Sequence, residues 1–364
     1  MSETIDLAEL RSSVSDILGN ECTRETVIAH CASSRGMLEP LWRTVQDMGW
    51  AGIAIPEDQG GLGLGLDALV TVFEELGRVA APVPFLTTML AAEVINRSGS
   101  ADQRGTWLPR ILEGASAALS APASLPALSL ENDGDEIVLN GTCDLLLDAA
   151  EADLILVLAQ GEDGTPCRII LDRTGDGLTL KASTLWDHGH TLSTFTASGL
   201  RLPRDRAVPS SAAAEQALLS YACLGLAGEA VGGAEAALEM TIEFLKTREQ
   251  FGKQIGAFQA LKHRVADHRT RLVASRLLLE EATRMVVADH PLAHSEASAA
   301  RVLACADYAE ISRDCIQLHG GMGFTTEQGC DLYLKRALLL DQLFETRAHH
   351  LARATHHLDS AEAI

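Results

Sequence analysis

Between residues 117 and 208 the chain is broken too often for helices, and that break sets the plan of everything around it. Turn signals recur there at short intervals: Asn132-Asp133-Gly134, Asn140-Gly141, Glu162-Asp163-Gly164 and Gly175-Asp176-Gly177. They separate β-favouring runs, Ile137-Val138-Leu139, Leu154–Leu158 and Ile169-Ile170-Leu171, in the rhythm of an antiparallel β unit. On both sides the apolar residues fall at helical spacing instead. From Leu7 to about Leu112 the faces include Leu69, Val72, Phe73 and Leu76, and Pro82 and Pro84 end the helix after Ala80. From Ser211 onward, long Ala/Leu/Glu-rich stretches follow with few breakers. Helices, short strands, helices is an α+β plan. The expected limits are an N-terminal helical domain over 1–115, a middle β domain over 116–209 and a C-terminal helical domain over 210–364. No internal repeat or low-complexity segment interrupts this.

Composition narrows the partners. The 50 acidic residues outnumber the 29 basic ones, for a formal net charge of -21. No basic stripe stands out, which argues against nucleic acid and against an anionic membrane. An acidic surface serves solubility first. A phosphorylated ligand would then need local cations, which draws attention to Arg248 and Lys262. The eight cysteines form no C-x-x-C pair and no metal-type spacing, and read as scattered buried thiols in a reducing compartment. Met1-Ser2-Glu3-Thr4-Ile5-Asp6 lacks a cationic start and an apolar stretch, and no uninterrupted apolar run reaches membrane-spanning length. The expectation is a cytoplasmic protein.

Two glycine-bearing segments carry the chemistry. In Thr247-Arg248-Glu249-Gln250-Phe251-Gly252-Lys253-Gln254-Ile255-Gly256-Ala257-Phe258-Gln259, Gly252 and Gly256 interrupt helical sequence that resumes from Phe258. The turn gathers an arginine fork suited to phosphate and aromatic edges suited to a flat ring. The second segment is Gln317-Leu318-His319-Gly320-Gly321-Met322-Gly323-Phe324. In this order and at this separation, the pair resembles the flavin-binding signatures of the acyl-CoA dehydrogenase family. Gly49-Trp50-Ala51-Gly52-Ile53-Ala54-Ile55-Pro56-Glu57, followed by Gly60-Gly61-Leu62-Gly63, is similar to that family's Gly-hydrophobic-Pro-Glu…Gly-Gly-x-Gly corner.

The resemblance implies a helical–β–helical fold, FAD as cofactor and α,β-desaturation of an acyl-CoA thioester. It assigns the flavin contacts to Arg248, Gln250, Phe251, Phe258, Gln259, Gln317, Leu318, His319, Gly320 and Gly321. The reaction needs a Glu near the acyl chain to take the α-proton. Many members keep it in Tyr-Glu-Gly-Thr after the second segment. Counting from Gly320, this chain has Leu343-Phe344-Glu345-Thr346, so Phe344 holds the Glu position and Glu345 follows; a one-residue shift makes Glu345 the candidate base. The family's other location corresponds to Ala222, which cannot act as a base, and Glu229 lies further along the same helix.

In the middle domain, members holding their own flavin carry Thr-Glu-Pro and a Lys-x-Trp-Ile-Thr strand. The matching positions here read Ser120-Ala121-Pro122 and Cys143-Asp144-Leu145-Leu146-Leu147. In this family the Arg and Gly-Gly segments of one chain complete the flavin site of its neighbour. The chain thus keeps the donated half and departs in the receiving half. That pattern resembles a subunit of the heterotetrameric α2β2 acyl-CoA dehydrogenases of actinobacteria, which act on bulky steroid-derived CoA thioesters. An electron-transfer flavoprotein is the implied type of acceptor. Rival readings are a homo-oligomeric dehydrogenase using Glu345 and a non-enzymatic acyl-CoA-binding relative.

Other groupings read as structural. Gly60–Gly65 lacks Rossmann spacing and a downstream acidic partner, and is read as a flexible corner. His188 and His190, and the pairs His349-His350 and His356-His357, have no metal-type companions, so no metal is expected, and the later pairs are read as a solvated helix face.

Overall fold

A computed structural model describes residues 6–123 and 125–361, with side chains described through His356. Helices α1 (Leu7–Glu21), α2 (Arg24–Ser33), α3 (Glu39–Asp47), α4 (Gly65–Arg78), α5 (Phe85–Ser98) and α6 (Ala101–Leu112) come first. Local chemistry sets several of their ends. Asp6 accepts the Ala8 and Glu9 amides at the start of α1, and Ser100 and Gln103 cap α6 reciprocally. Pro84 precedes α5, as the proline pair requires.

Eight strands follow: β1 (Ala117–Leu119), β2 (Leu128–Asp133), β3 (Glu136–Leu147), β4 (Leu154–Gly161), β5 (Pro166–Asp172), β6 (Leu180–Ser183), β7 (Leu192–Pro203) and β8 (Ala207–Pro209). The sheet order is β6-β7-β3-β2-β4-β5-β8, with β1 on β4. Most pairings are antiparallel, but β4 lies parallel to both β1 and β2. The sheet is therefore mixed, which local turn signals could not show. Inward residues such as Leu128, Leu130, Ile137, Leu139, Ile155, Val157, Ile169 and Phe195 form its core.

The C-terminal part holds α7 (Ala212–Thr247), the two-residue strands β9 (Glu249–Gln250) and β10 (Lys253–Gln254), α8 (Gln259–Val287), α9 (Ala293–His319), α10 (Cys330–Leu340) and α11 (Arg347–Ala361). By length and apolarity α7 passes for a membrane span, yet 89% of that window is buried in the protein, as in a core helix.

The chain divides into two compact units that ignore its linear order. One comprises Met1–Ser33, Leu66–Ala81 and Cys223–Ile364; the other comprises Ser34–Gly65 and Pro82–Ala222. In the first, α4 and α7 approach backbone to backbone. A side chain at Gly77 would strike the Glu229 carbonyl, and one at Gly232 the Glu74 carbonyl. A mid-helix glycine costs about 1 kcal/mol relative to alanine, and here it is what lets the helices close.

In the second unit, the Gly60–Gly65 corner is pinned rather than flexible. The amides of Gly61, Leu62, Gly63 and Leu64 donate to the carbonyls of Pro56, Gly52, Ile55 and Ile53. A Cβ at Gly61 would collide with the Ile55 carbonyl. With those amides committed inside the chain, four of the corner's N–H groups are not available to cradle a phosphate.

Candidate functional site

The α7–α8 connection is a small hairpin. The Arg248 amide makes the last helical bond of α7, to Phe244 O at 2.9 Å, and Ile255 N–H returns to Arg248 O at 2.9 Å. Between them Gln250 pairs with Lys253 and Glu249 with Gln254. The two residues at the tip, Phe251 (φ 55°) and Gly252 (φ 77°), both lie in the left-handed region, the type I′ pattern. For a bulky aromatic that conformation is an outlier costing about 1–2 kcal/mol, and such strain collects where a site needs it. Gly256 is needed for contact: a Cβ there would stand 2.8 Å from Leu245 O.

The tip presents its side chains outward. Phe251 is 90% exposed. Its ring meets Phe258 edge-on at 6.2 Å, and Lys253 Nζ sits 4.2 Å over Phe258. Arg248, Gln250, Gln259 and Gln317 are exposed, and among the described residues their side chains have no partner. An arginine fork and three amides left open beside two ring edges suit a ligand with phosphates and a flat heterocycle.

The second segment ends α9. Gly320 caps it at φ 59°, ψ -135°, a region open essentially to glycine. Gly323 is required by packing, since a Cβ would strike Ile316 O. Gly321 is different: its φ is ordinary, and a Cβ there would meet nothing within 4 Å. Nothing in the chain itself demands a glycine at 321, and an open cradle that a Cβ would fill fits a ligand lying against the backbone. Leu318 and His319 are buried in the protein instead. The His319 ring stacks on Phe244 at 4.4 Å, and Nδ1 pairs with Cys315 O at 2.8 Å. Burial pushes the His319 pKa down, so the ring is neutral and Nδ1 donates. Phe244 lies one turn before Arg248, so this stack joins the ends of α7 and α9. Leu318 and His319 thus hold the loop in place.

Glu345 lies in a strained turn after α10. Phe344 (φ 52°) and Glu345 (φ 83°) both adopt positive φ, and the Phe344 side chain is buried. The Glu345 carboxylate, largely buried, sits 3.7 Å from His349 Nδ1 and 3.8 Å from Arg353 Nε. The turn has a buried support that sequence reasoning missed. Fully buried Arg301 on α9 donates from Nη2 to the carbonyls of Asp341 (2.9 Å) and Leu343 (3.0 Å). His350 Nε2 pairs with Phe344 O at 2.7 Å, and Nδ1 lies 3.6 Å from Cys223 Sγ. Burial, helped by nearby Arg301, pushes His350 down to about 4. His350 is therefore a neutral core residue, not part of a solvated face; the His357 side chain lies outside the described residues. The one available signal was an arginine amid the small apolar residues of α9.

The other candidates are structural. Ala222 is fully buried. Glu229 faces the Arg336 guanidinium at 3.7 Å, and Arg336 also donates to Ala80 O and Ala81 O. His190 pairs with Asp148 at 2.8 Å. Among the described residues no three His, Cys, Asp or Glu side chains gather to hold a metal.

In the β unit the Ser120 hydroxyl accepts Leu158 N–H at 2.9 Å and Arg168 Nη1 at 3.0 Å. A bulge between Cys143 and Leu146 leaves Leu145 71% exposed at φ 58°, while Leu146 and Leu147 are buried. Ser120 is buried, and Leu145, Leu146 and Leu147 carry no hydroxyl.

A helical part, a mixed β sheet and a helical bundle carrying two glycine turns make up the fold, and comparison with known proteins gives its family. Residues 4–115 match the acyl-CoA dehydrogenase N-terminal domain and residues 212–344 the C-terminal domain. The chain belongs to the acyl-CoA dehydrogenase family, oxidoreductases acting on CH–CH bonds. It is 31% identical to the acyl-CoA dehydrogenase IpdE2 of Mycobacterium tuberculosis, over 94% of this chain and 94% of that one. A solved variant of the Tcur3481-Tcur3483 steroid acyl-CoA dehydrogenase is 29% identical with a TM-score of 0.88, covering 98% of this chain and 99% of the other. The ChsE4-ChsE5 complex of Mycobacterium tuberculosis is 26% identical with a TM-score of 0.88, covering 98% of each chain.

Proposed function

We propose that this chain is a subunit of an FAD-dependent acyl-CoA dehydrogenase that desaturates the α,β bond of an acyl-CoA thioester, and that it completes the flavin site of a second dehydrogenase-like chain in an α2β2 assembly. One asymmetry carries the reading. Arg248, Gln250, Gln259 and Gln317 stand exposed and, among the described residues, without partners, whereas Ser120 is buried and accepts from Arg168 and Leu158. The donated half is open, and the receiving half is spent on its own fold.

When bound, the flavin supplies the hydride acceptor for the β-hydrogen. In this reading Arg248 would pair with the pyrophosphate, Phe251 and Phe258 would border the adenine, and the Gly320-Gly321 backbone would lie against the dinucleotide. Gln250, Gln259 and Gln317 would supply amide hydrogen bonds. The proton-abstracting carboxylate would come from the partner, because Phe344 and Ala222 occupy the two places for it here. The names of the Tcur3481-Tcur3483 and ChsE4-ChsE5 relatives support a two-chain assembly, and the first supports a steroid-derived acyl group; a fatty acyl group is the other class. An electron-transfer flavoprotein as acceptor, a cytoplasmic location and domain limits of 1–115, 116–209 and 210–364 belong to the same proposal.

A second reading rests on Glu345. Its carboxylate is only loosely paired and sits in a strained turn that Arg301 and His350 hold in place. There the chain would be a homo-oligomeric dehydrogenase with its own base. Co-expression with the product of an adjacent gene separates the two. Flavin absorbance that appears only in the co-purified complex supports the first, and a yellow, active homomer supports the second. A colourless protein in both preparations would sink both.

A further inference from the structure

Lys262 stood out in the sequence as a cation in an acidic chain, and the flavin reading does not use it. It lines a cavity of about 580 Å³ between α7 and α8, beside Gly256 of the hairpin. The aliphatic members of the lining are Leu238, Ile242, Leu245 and Val265, all buried or half-buried. The charged members, Glu239, Glu243, Lys246, Lys262 and Arg269, are all exposed. The cavity thus has an apolar floor and a charged rim.

The rim charges are not equivalent. Glu243 pairs with Lys246 at 2.7 Å, Glu239 with Arg78 at 2.6 Å, and Arg269 with Glu235 at 2.9 Å. Lys262 alone of the five has no partner among the described residues. The two other large cavities of this unit differ. One, lined by α1, α4 and α8, has Arg11, Arg78 and Arg276 tied to Glu74, Glu75 and Glu235, and the other is lined almost wholly by polar side chains of α8 and α9. Of these three cavities, the one at Lys262 joins an aliphatic floor to a positive charge that has no counter-charge among the described residues.

We infer that this cavity is a binding site for an amphipathic monoanion, an aliphatic carboxylate whose chain lies on Leu238, Ile242, Leu245 and Val265 and whose head group pairs with Lys262. Apolar pockets of this volume with few polar groups are typical small-molecule sites. The aliphatic floor supplies affinity by area, and the single cation supplies the sign of the head group. The inference is independent of the flavin reading, since none of these residues belongs to the flavin set.

The test is calorimetric titration of hexanoate, octanoate and decanoate into the full-length protein, with decyltrimethylammonium as the opposite charge. Saturable binding of one decanoate per chain is expected, tightening about threefold per methylene. Lys262→Glu should weaken decanoate by more than about tenfold, while Lys262→Arg stays within about threefold of the parent. Lys262 is exposed and unpartnered, so neither change threatens folding. Ile242→Trp should fill the floor and remove binding of every chain length. If that variant does not fold, the Lys262 pair decides. No saturable heat with decanoate, decyltrimethylammonium binding as tightly, or an unaffected Lys262→Glu variant would each overturn the inference.

Discussion

Arg168 on β5 and Glu215 at the start of α7 form a buried two-point pair, Nε to Oε1 at 2.9 Å and Nη2 to Oε2 at 2.5 Å. The remaining valences are filled as well: Arg168 Nη1 donates to Ser120 O, Ser210 Oγ donates to Glu215 Oε1, and Ala123 N–H donates to Glu215 Oε2. The pair therefore anchors the 120–123 segment to the sheet. Removing one partner leaves a buried charge uncompensated, which costs about 3–5 kcal/mol. Arg168→Leu should lower the unfolding free energy by that amount, read as a lower urea midpoint at constant slope; an unchanged midpoint would mean the pair is not formed.

Arg248→Ala should leave the fold intact, because the side chain is exposed and unpartnered, and should release flavin from the assembled complex. Loss of a charge-assisted fork amounts to about 2–4 kcal/mol of cofactor binding. Arg248→Lys should restore only part, since a point charge cannot supply two parallel bonds. Flavin content after gel filtration reads the effect, and equal content in parent and Ala variant would remove Arg248 from the site.

The two loop glycines should respond differently. Gly320→Val is strained whatever lies nearby, because of its positive φ. The Cβ added by Gly321→Val meets no atom of this chain within 4 Å, so its melting temperature should match the parent while flavin binding is lost. Normal flavin binding by Gly321→Val would show that no ligand rests on that backbone.

Glu345→Gln decides between the two functional readings. In a homomer with its own base the change should cut turnover by roughly two to four orders of magnitude while flavin stays bound. In a heteromer where this chain only completes the site, the rate should change by less than about tenfold. We expect the smaller effect, and a single-turnover measurement on the purified assembly distinguishes them.

Acid should loosen the α4–α7–α8 helices through Glu235. Burial opposes its charge, but Arg276, Arg269 and Arg78 overcome this and hold its pKa at about 2. A carboxylate with a depressed pKa adds stability above its unfolded value, and that stability is lost as pH falls through the folded pKa. The decline should run from about 4.5 down to about 2. Denaturant unfolding at stepped pH should show a shallower acid slope for Glu235→Gln; identical slopes would exclude the contribution.

The sequence alone determined what depends on near neighbours. Helical periodicity, the prolines before α5, the glycines of the hairpin and most of the turn signals between strands are short-range properties and became the expected elements; Asn140-Gly141 did not, because it lies inside β3 next to a register shift against β7. The shapes of the Arg248 turn and the Gly320-Gly321 loop were legible for the same reason, since turn-forming glycines are written in contiguous residues. The tertiary structure decided what depends on distant partners. A local pattern could not show that β4 runs parallel to β1 and β2, that the compact units are assembled from non-contiguous segments, or that Ile55 O pins Gly61. Nor could it show that His350 is buried against Phe344 O, that Arg301 supports the Glu345 turn, or that Lys262 alone lacks a counter-charge at its cavity. Burial and pairing are relations between residues tens to hundreds of positions apart, and only the folded chain brings them within a few ångströms.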